Sequence, residues 1–123
     1  MARILIVDDD EQIRKLTTAV LERAGYETDS AADGAQALLA YRTEPAAVVL
    51  CDLYMPGKDG LETIRELRQE FPDVRIVAMT GGGTVAGGPA LRFARNLGAR
   101  ALLSKPFTPE DLLLAVQRVI DAP

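Results

Sequence analysis

"ILIVDDDEQIR", residues 4–14, runs four apolar side chains straight into three adjacent aspartates. A short apolar run suits a strand covered on both faces, and the aspartates stand where that strand surfaces. Neighbouring carboxylates repel; at ~5 Å and an effective dielectric of ~20, each pair costs roughly 3 kcal/mol. A chain selected for stability alone rarely keeps such a cluster at the end of a buried strand. The arrangement predicts a positive partner there.

The rest of the chain repeats the strand-then-helix rhythm. Arg3–Val7 is the first strand. From Glu11 to Ala24, Ile13, Leu16, Thr17, Val20, Leu21 and Ala24 recur at helical spacing, and Gly25 stops the helix. Tyr26–Ala31 reads as a more polar edge strand. Asp33 and Gly34 open an Ala/Leu helix that ends near Pro45, and Ala46–Cys51 is a second buried strand. After the loop "DLYMPGKDG" (52–60), Leu61–Glu70 is amphipathic and closes at Phe71–Pro72; Val74–Met79 is a third apolar run. The glycine-rich "TGGGTVAGGP" (80–89) leads to a short helix from about Ala90 to Leu97 and a fifth strand near Arg100–Leu103. Lys105–Pro106 follows, and Thr108 caps a last helix from about Pro109 to Ile120.

Five such units predict a parallel sheet with helices on both faces, because parallel neighbours need crossovers. Open sheets of this kind bind ligands beyond the carboxyl ends of their strands, where the strand order reverses. Strand one ends at Asp8 and Asp9, strand three at Asp52, strand four at Thr80 and strand five at Lys105. Polar groups therefore meet at one edge.

The 123 residues fit one compact domain over 1–123, long enough for a core without disulfides. One cysteine and no histidine leave neither an internal disulfide nor a zinc site, which suits a reducing cytoplasm. A net charge of −4 argues against a general nucleic-acid surface. Neither a membrane span of ~20 apolar residues nor a basic-then-apolar signal is present, so no membrane partner is expected.

"VDDD" (7–10), "LCDLYMPGKDG" (50–60), "AMTG" (78–81), "LGARALLSKPF" (97–107) and the closing amphipathic helix stand in this order at the strand ends. With them the chain resembles, over essentially its whole length, the receiver domains of two-component response regulators, single-domain chemotaxis-type receivers among them. The resemblance implies a flavodoxin-like doubly wound (βα)5 fold with strand order 2-1-3-4-5. It also implies that Asp52 accepts a phosphoryl group. Asp8, Asp9, Asp52 and the backbone carbonyl of Tyr54 would hold a divalent metal, Asp9 directly and Asp8 through water. The ion would be magnesium, with manganese as a substitute. Thr80 would hydrogen-bond the phosphoryl group and Lys105 would pair with it. The partners implied are a histidine kinase or histidine phosphotransfer protein and an unidentified downstream protein.

Elementary chemistry agrees. Magnesium prefers carboxylate, carbonyl and water oxygens. A carboxylate is a competent nucleophile toward phosphorus, and cations offset the charge on the transferring group. Other residues have plainer readings. Asp10 is an N-cap or first-turn residue, Pro56 and Gly60 are turn-makers without chemistry, and Cys51 is a small core residue.

Two features differ from the family pattern. The switch position three residues before the lysine, ordinarily Tyr or Phe, is Leu102. The stretch after Thr80 is long and rich in glycine, without the Gly-Lys-Ser/Thr of a P-loop. Phosphorylation is therefore expected to be reported by ordering of Gly81–Gly88 and by a shift of the helix after Pro89. Strand four, that helix, strand five and the last helix would form the output face, with Leu102 moving passively.

A haloacid-dehalogenase phosphatase would want a second acid at position 54, which is Tyr54. A flavodoxin-type carrier would not place aspartates against its cofactor phosphate. The remaining alternative is a phosphorylation-independent interaction module with a receiver fold, against which the intact Asp8, Asp9, Asp52, Thr80 and Lys105 argue. The expectation is a signalling switch rather than an ordinary enzyme, limited to its own phosphorylation and dephosphorylation. No output domain follows Pro123 in this sequence, so a stand-alone receiver or a piece of a longer regulator is expected.

Overall fold

Strands β1 (Arg3–Val7), β2 (Glu27–Ala31), β3 (Val48–Asp52), β4 (Ile76–Thr80) and β5 (Ala101–Ser104) form one parallel sheet in the order β2-β1-β3-β4-β5. The structure is a computed structural model and describes residues 2–53, 55, 60–80, 92 and 95–122. Its helices among those residues are α1 (Glu11–Arg23), α2 (Gly34–Thr43), α3 (Gly60–Glu70) and α4 (Pro109–Asp121). Of the helix expected over 90–97, Arg92, Arg95 and Asn96 are helical, while residues 90, 91, 93 and 94 lie outside the described residues. The Gly81–Gly88 stretch lies outside them too.

Successive strand residues point to opposite faces, so a run of apolar residues feeds two cores at once. Ile4, Ile6, Val48, Leu50, Val77 and Met79 pack with Leu21 of α1 and with Leu112, Val116 and Val119 of α4. Leu5, Val7, Val49, Cys51, Ile76 and Ala78 pack on the other face with Leu38 and Tyr41 of α2 and Ile64 and Leu67 of α3. This two-sided burial is why β1, β3 and β4 are apolar between their ends, with Arg3 opening β1 and Asp52 and Thr80 closing β3 and β4. β2 is an edge strand, and only Ala31 in it is buried.

The helix starts follow from local chemistry. Asp10 accepts from Gln12 N and Ile13 N, Asp33 accepts from Gln36 N, and Thr108 with Asp111 forms a capping box. Gly25 ends α1 with a positive φ of 99°, the left-handed conformation that favours glycine. β4 begins later than the apolar run at Val74 suggests. Val74 is buried but donates to Phe71 O within a turn, so its hydrophobicity reflects packing and not pairing. No helix among the described residues is long and apolar enough to cross a membrane.

Gly60 has a role that the sequence reading missed. A Cβ there would lie 1.7 Å from the carbonyl oxygen of Asp52 and 2.6 Å from Leu53 Cα. Its N–H donates to Leu53 O at 3.1 Å. The start of α3 thus lies directly on the end of β3, an approach that only glycine allows. Gly60 is a packing requirement of the edge that carries Asp52, more than a turn-maker.

Candidate functional site: the carboxyl edge of the sheet

From β1 the chain passes outward to β2, then returns across β1 to β3. The strand order reverses between β1 and β3, and Asp8 and Asp52 stand at the carboxyl ends of those two strands. Asp8 is fully buried and Asp52 is 5% exposed, whereas Asp9 is exposed. One carboxylate oxygen from each of Asp8, Asp9 and Asp52 lies within 4.8 Å of the other two.

Lys105, just past β5, reaches back into this cluster. Its Nζ donates to Asp8 Oδ2 at 2.5 Å and to Asp52 Oδ2 at 3.3 Å. Its backbone N–H donates to Thr80 O at 2.7 Å, which ties the residue to the end of β4. The Lys105–Pro106 peptide is cis. Burial alone would lower the Lys105 pKa. The hydrogen bond to Asp8 and the charges of Asp52 and Asp8 outweigh that effect, and the pKa is raised.

The positive partner demanded by the aspartates is therefore present within the chain. It does not neutralise them fully: three carboxylates and one ammonium carry a formal charge of −3 + 1 = −2. The donor set is all oxygen, with neither imidazole nor thiolate in the cluster, and this is the set that magnesium and manganese prefer. Asp8, Asp9 and Asp52 could hold such an ion.

Asp8 is already committed on every side. Its N–H donates to Ala31 O at 3.1 Å, and its Oδ1 accepts from Asp10 N at 3.0 Å. Its carbonyl accepts from Arg14 Nη1 at 2.7 Å. Arg14 was not legible as part of the site; its only signal is a position one helical turn past the Asp10 cap.

Of the residues singled out from sequence, Asp8, Asp9, Asp52 and Lys105 come together. Thr80 ends β4 beside them with only 3% exposure. Tyr54 lies outside the described residues. Leu102 pairs in register with Ala78 and packs, partly buried, against the core under α2 and α3. Asp10 caps α1, as the plainer reading held.

The response regulator receiver domain family model matches residues 4–117. Response regulator receiver protein CpdR of Brucella abortus (strain 2308) is 34% identical over 122 residues, covering 99% of both chains. Sporulation initiation phosphotransferase F of Bacillus subtilis (strain 168) is 34% identical over 118 residues, covering 96% of this chain and 93% of that one. The solved structure of chemotaxis protein CheY4 from Vibrio cholerae superposes with a TM-score of 0.89 at 34% identity, covering 97% of this chain and 98% of that one. Other relatives are longer; the chain spans 47% of one and 26% of another. Sheet order, the acidic edge and these matches agree: the chain belongs to the response regulator receiver domain family, the phosphoryl-accepting switches of two-component signalling.

Proposed function

We propose that Asp52 is the phosphoryl acceptor, taking its group from a phosphohistidine on a histidine kinase or phosphotransfer protein. The observation that carries this reading is the convergence of Asp8, Asp9 and Asp52 within 4.8 Å, with Lys105 Nζ in contact with two of them. An Asp52 carboxylate oxygen attacks phosphorus. The new O–P bond forms as the N–P bond breaks, the electron pair returns to the imidazole nitrogen, and an acyl phosphate remains.

Asp9, Asp52 and, through its committed carboxylate, Asp8 would hold magnesium, with the Tyr54 carbonyl as a further ligand. Bound there, the ion would offset charge on the transferring oxygens. Asp8 has both carboxylate oxygens in hydrogen bonds, which favours an indirect contribution, while exposed Asp9 favours a direct one. Lys105 shifts its ammonium from Asp8 to a phosphoryl oxygen, and the Thr80 hydroxyl donates to another. The single domain over 1–123 works as a switch that catalyses its own phosphorylation and dephosphorylation. A single cysteine suits a cytoplasmic setting. Leu102 fills space as Thr80 moves and the downstream protein reads the β4–β5–α4 face.

Labelling with acetyl phosphate and magnesium tests the acceptor. Asp52→Asn, nearly isosteric, should fold and take up no label. Hydroxylamine-sensitive phosphate accumulating on Asp52→Asn at the wild-type rate would rule Asp52 out.

A further inference from the structure

Asp9 is exposed, and among the described residues its carboxylate meets no hydrogen-bond donor. Yet both peptides that flank it are tied. The Asp8 carbonyl belongs to the Asp8–Asp9 peptide and accepts from Arg14 Nη1 at 2.7 Å. The Asp10 N–H belongs to the Asp9–Asp10 peptide and donates to Asp8 Oδ1 at 3.0 Å. Peptide units are planar, so anchoring one on each side of a residue restricts both its φ and its ψ. An exposed turn residue with an unengaged side chain has no need of two such anchors for stability.

The Arg14 anchor is itself rigidly based. Arg14 N donates to Asp10 O at 3.0 Å, inside a helix whose start Asp10 caps. Its guanidinium is half-buried and bonds the carbonyl of Asp8, a residue whose own carboxylate belongs to the acidic cluster. A guanidinium serving only as counter-charge would pair with a carboxylate, where charge-assisted bonds are stronger.

We infer that Arg14 is a positioning residue: it holds the Asp8–Asp9 peptide so that the Asp9 carboxylate is preset where Asp8 and Asp52 converge. The inference rests on the reading of this cluster as a divalent-cation site. Position and charge have opposite signs here. As a bare positive charge, Arg14 repels a dication, and its removal would tighten cation binding. As a positioning group, it pre-organises a ligand, and its removal weakens binding.

Manganese titration at fixed ionic strength, with free ion counted by electron paramagnetic resonance, separates the two. Wild type, Arg14→Met, Arg14→Lys and Asp9→Asn are compared, each also melted in chelator. Arg14→Met should bind manganese about tenfold more weakly, the scale of losses when a group orienting a metal ligand is removed, with a near-wild-type melt. Arg14→Lys keeps the charge and a donor and should recover part of that loss. Should Arg14→Met be too unstable to titrate, Arg14→Gln replaces it under the same criteria. Equal or tighter binding by the neutral variant, with Asp9→Asn weakened, overturns the role of Arg14 and leaves the cation site standing. Weaker binding by Arg14→Lys than by Arg14→Met also overturns it, since charge would then dominate. Wild-type binding by Asp9→Asn removes the cation reading and the inference with it.

Discussion

Lys105 Nζ lies 2.5 Å from Asp8 Oδ2, closer than its 3.3 Å to Asp52 Oδ2. The ammonium therefore sits mainly on Asp8, the most deeply buried of the three carboxylates, and bridges from there to Asp52. Without a metal this contact offsets part of the repulsion within the buried acidic pair. The same ammonium also competes with any cation drawn to the cluster.

Lys105→Met should consequently destabilise the protein in chelator by about 3 kcal/mol, the low end for breaking a buried pair, since Lys105 retains 17% side-chain exposure. Added magnesium should shrink the deficit, because the ion takes over the neutralising role. Chemical denaturation at several magnesium concentrations measures this; a deficit independent of magnesium would contradict it.

The same pair predicts an alkaline limit. The folded Lys105 pKa lies above its ordinary value of 10.5: burial lowers it, but the bond to Asp8 and the charges of Asp52 and Asp8 raise it further. A value raised on folding means stability that is whole below pH 10.5 and lost as pH climbs through the higher folded value. The melting difference between wild type and Lys105→Met should hold steady through neutral pH and narrow only in the alkaline range. Narrowing near neutrality would count against the pairing.

Gly60→Ala should be among the most damaging single-methyl additions in the chain. Its Cβ would meet Asp52 O at 1.7 Å, and backbone cannot swing aside as a side chain can. A loss of about 3 kcal/mol is expected, the upper part of the overpacking range, with phosphorylation impaired because the end of β3 must move. Urea unfolding and acetyl phosphate labelling on one preparation check both; a wild-type urea midpoint would refute the close approach.

Asp10 separates helix capping from metal binding. Asp10→Ala removes the acceptor for Gln12 N at 2.9 Å and should cost about 1 kcal/mol, while Asp10→Ser should keep most of it. Both retain the backbone N–H that holds Asp8 Oδ1, so manganese affinity should change little. Large loss of affinity in Asp10→Ser would make Asp10 part of the cation site.

Much of this protein was written locally. Two-sided apolar runs mark β1, β3 and β4, because a strand between two helix layers has no solvent face. Asp10, Asp33 and Thr108 announce helix starts, since their side chains bond amides only a few residues away. Strand ends bearing Asp8, Asp9, Asp52, Thr80 and Lys105 were visible because a parallel sheet sends all its carboxyl ends to one edge. What the tertiary structure alone decided are contacts between distant or oblique partners. Lys105 settles on Asp8 across 97 residues of chain, and no local pattern chooses between Asp8 and Asp52. Gly60 is required by the carbonyl of Asp52, which reaches it only when α3 packs against β3. Arg14 bonds a backbone carbonyl, a partner every residue possesses, so its choice depends on where the turn after β1 lies in space. Sequence carries periodicity and residue type; which group meets which carboxylate or carbonyl is set by tertiary packing, as in the 2.5 Å against 3.3 Å at which Lys105 Nζ meets its two partners.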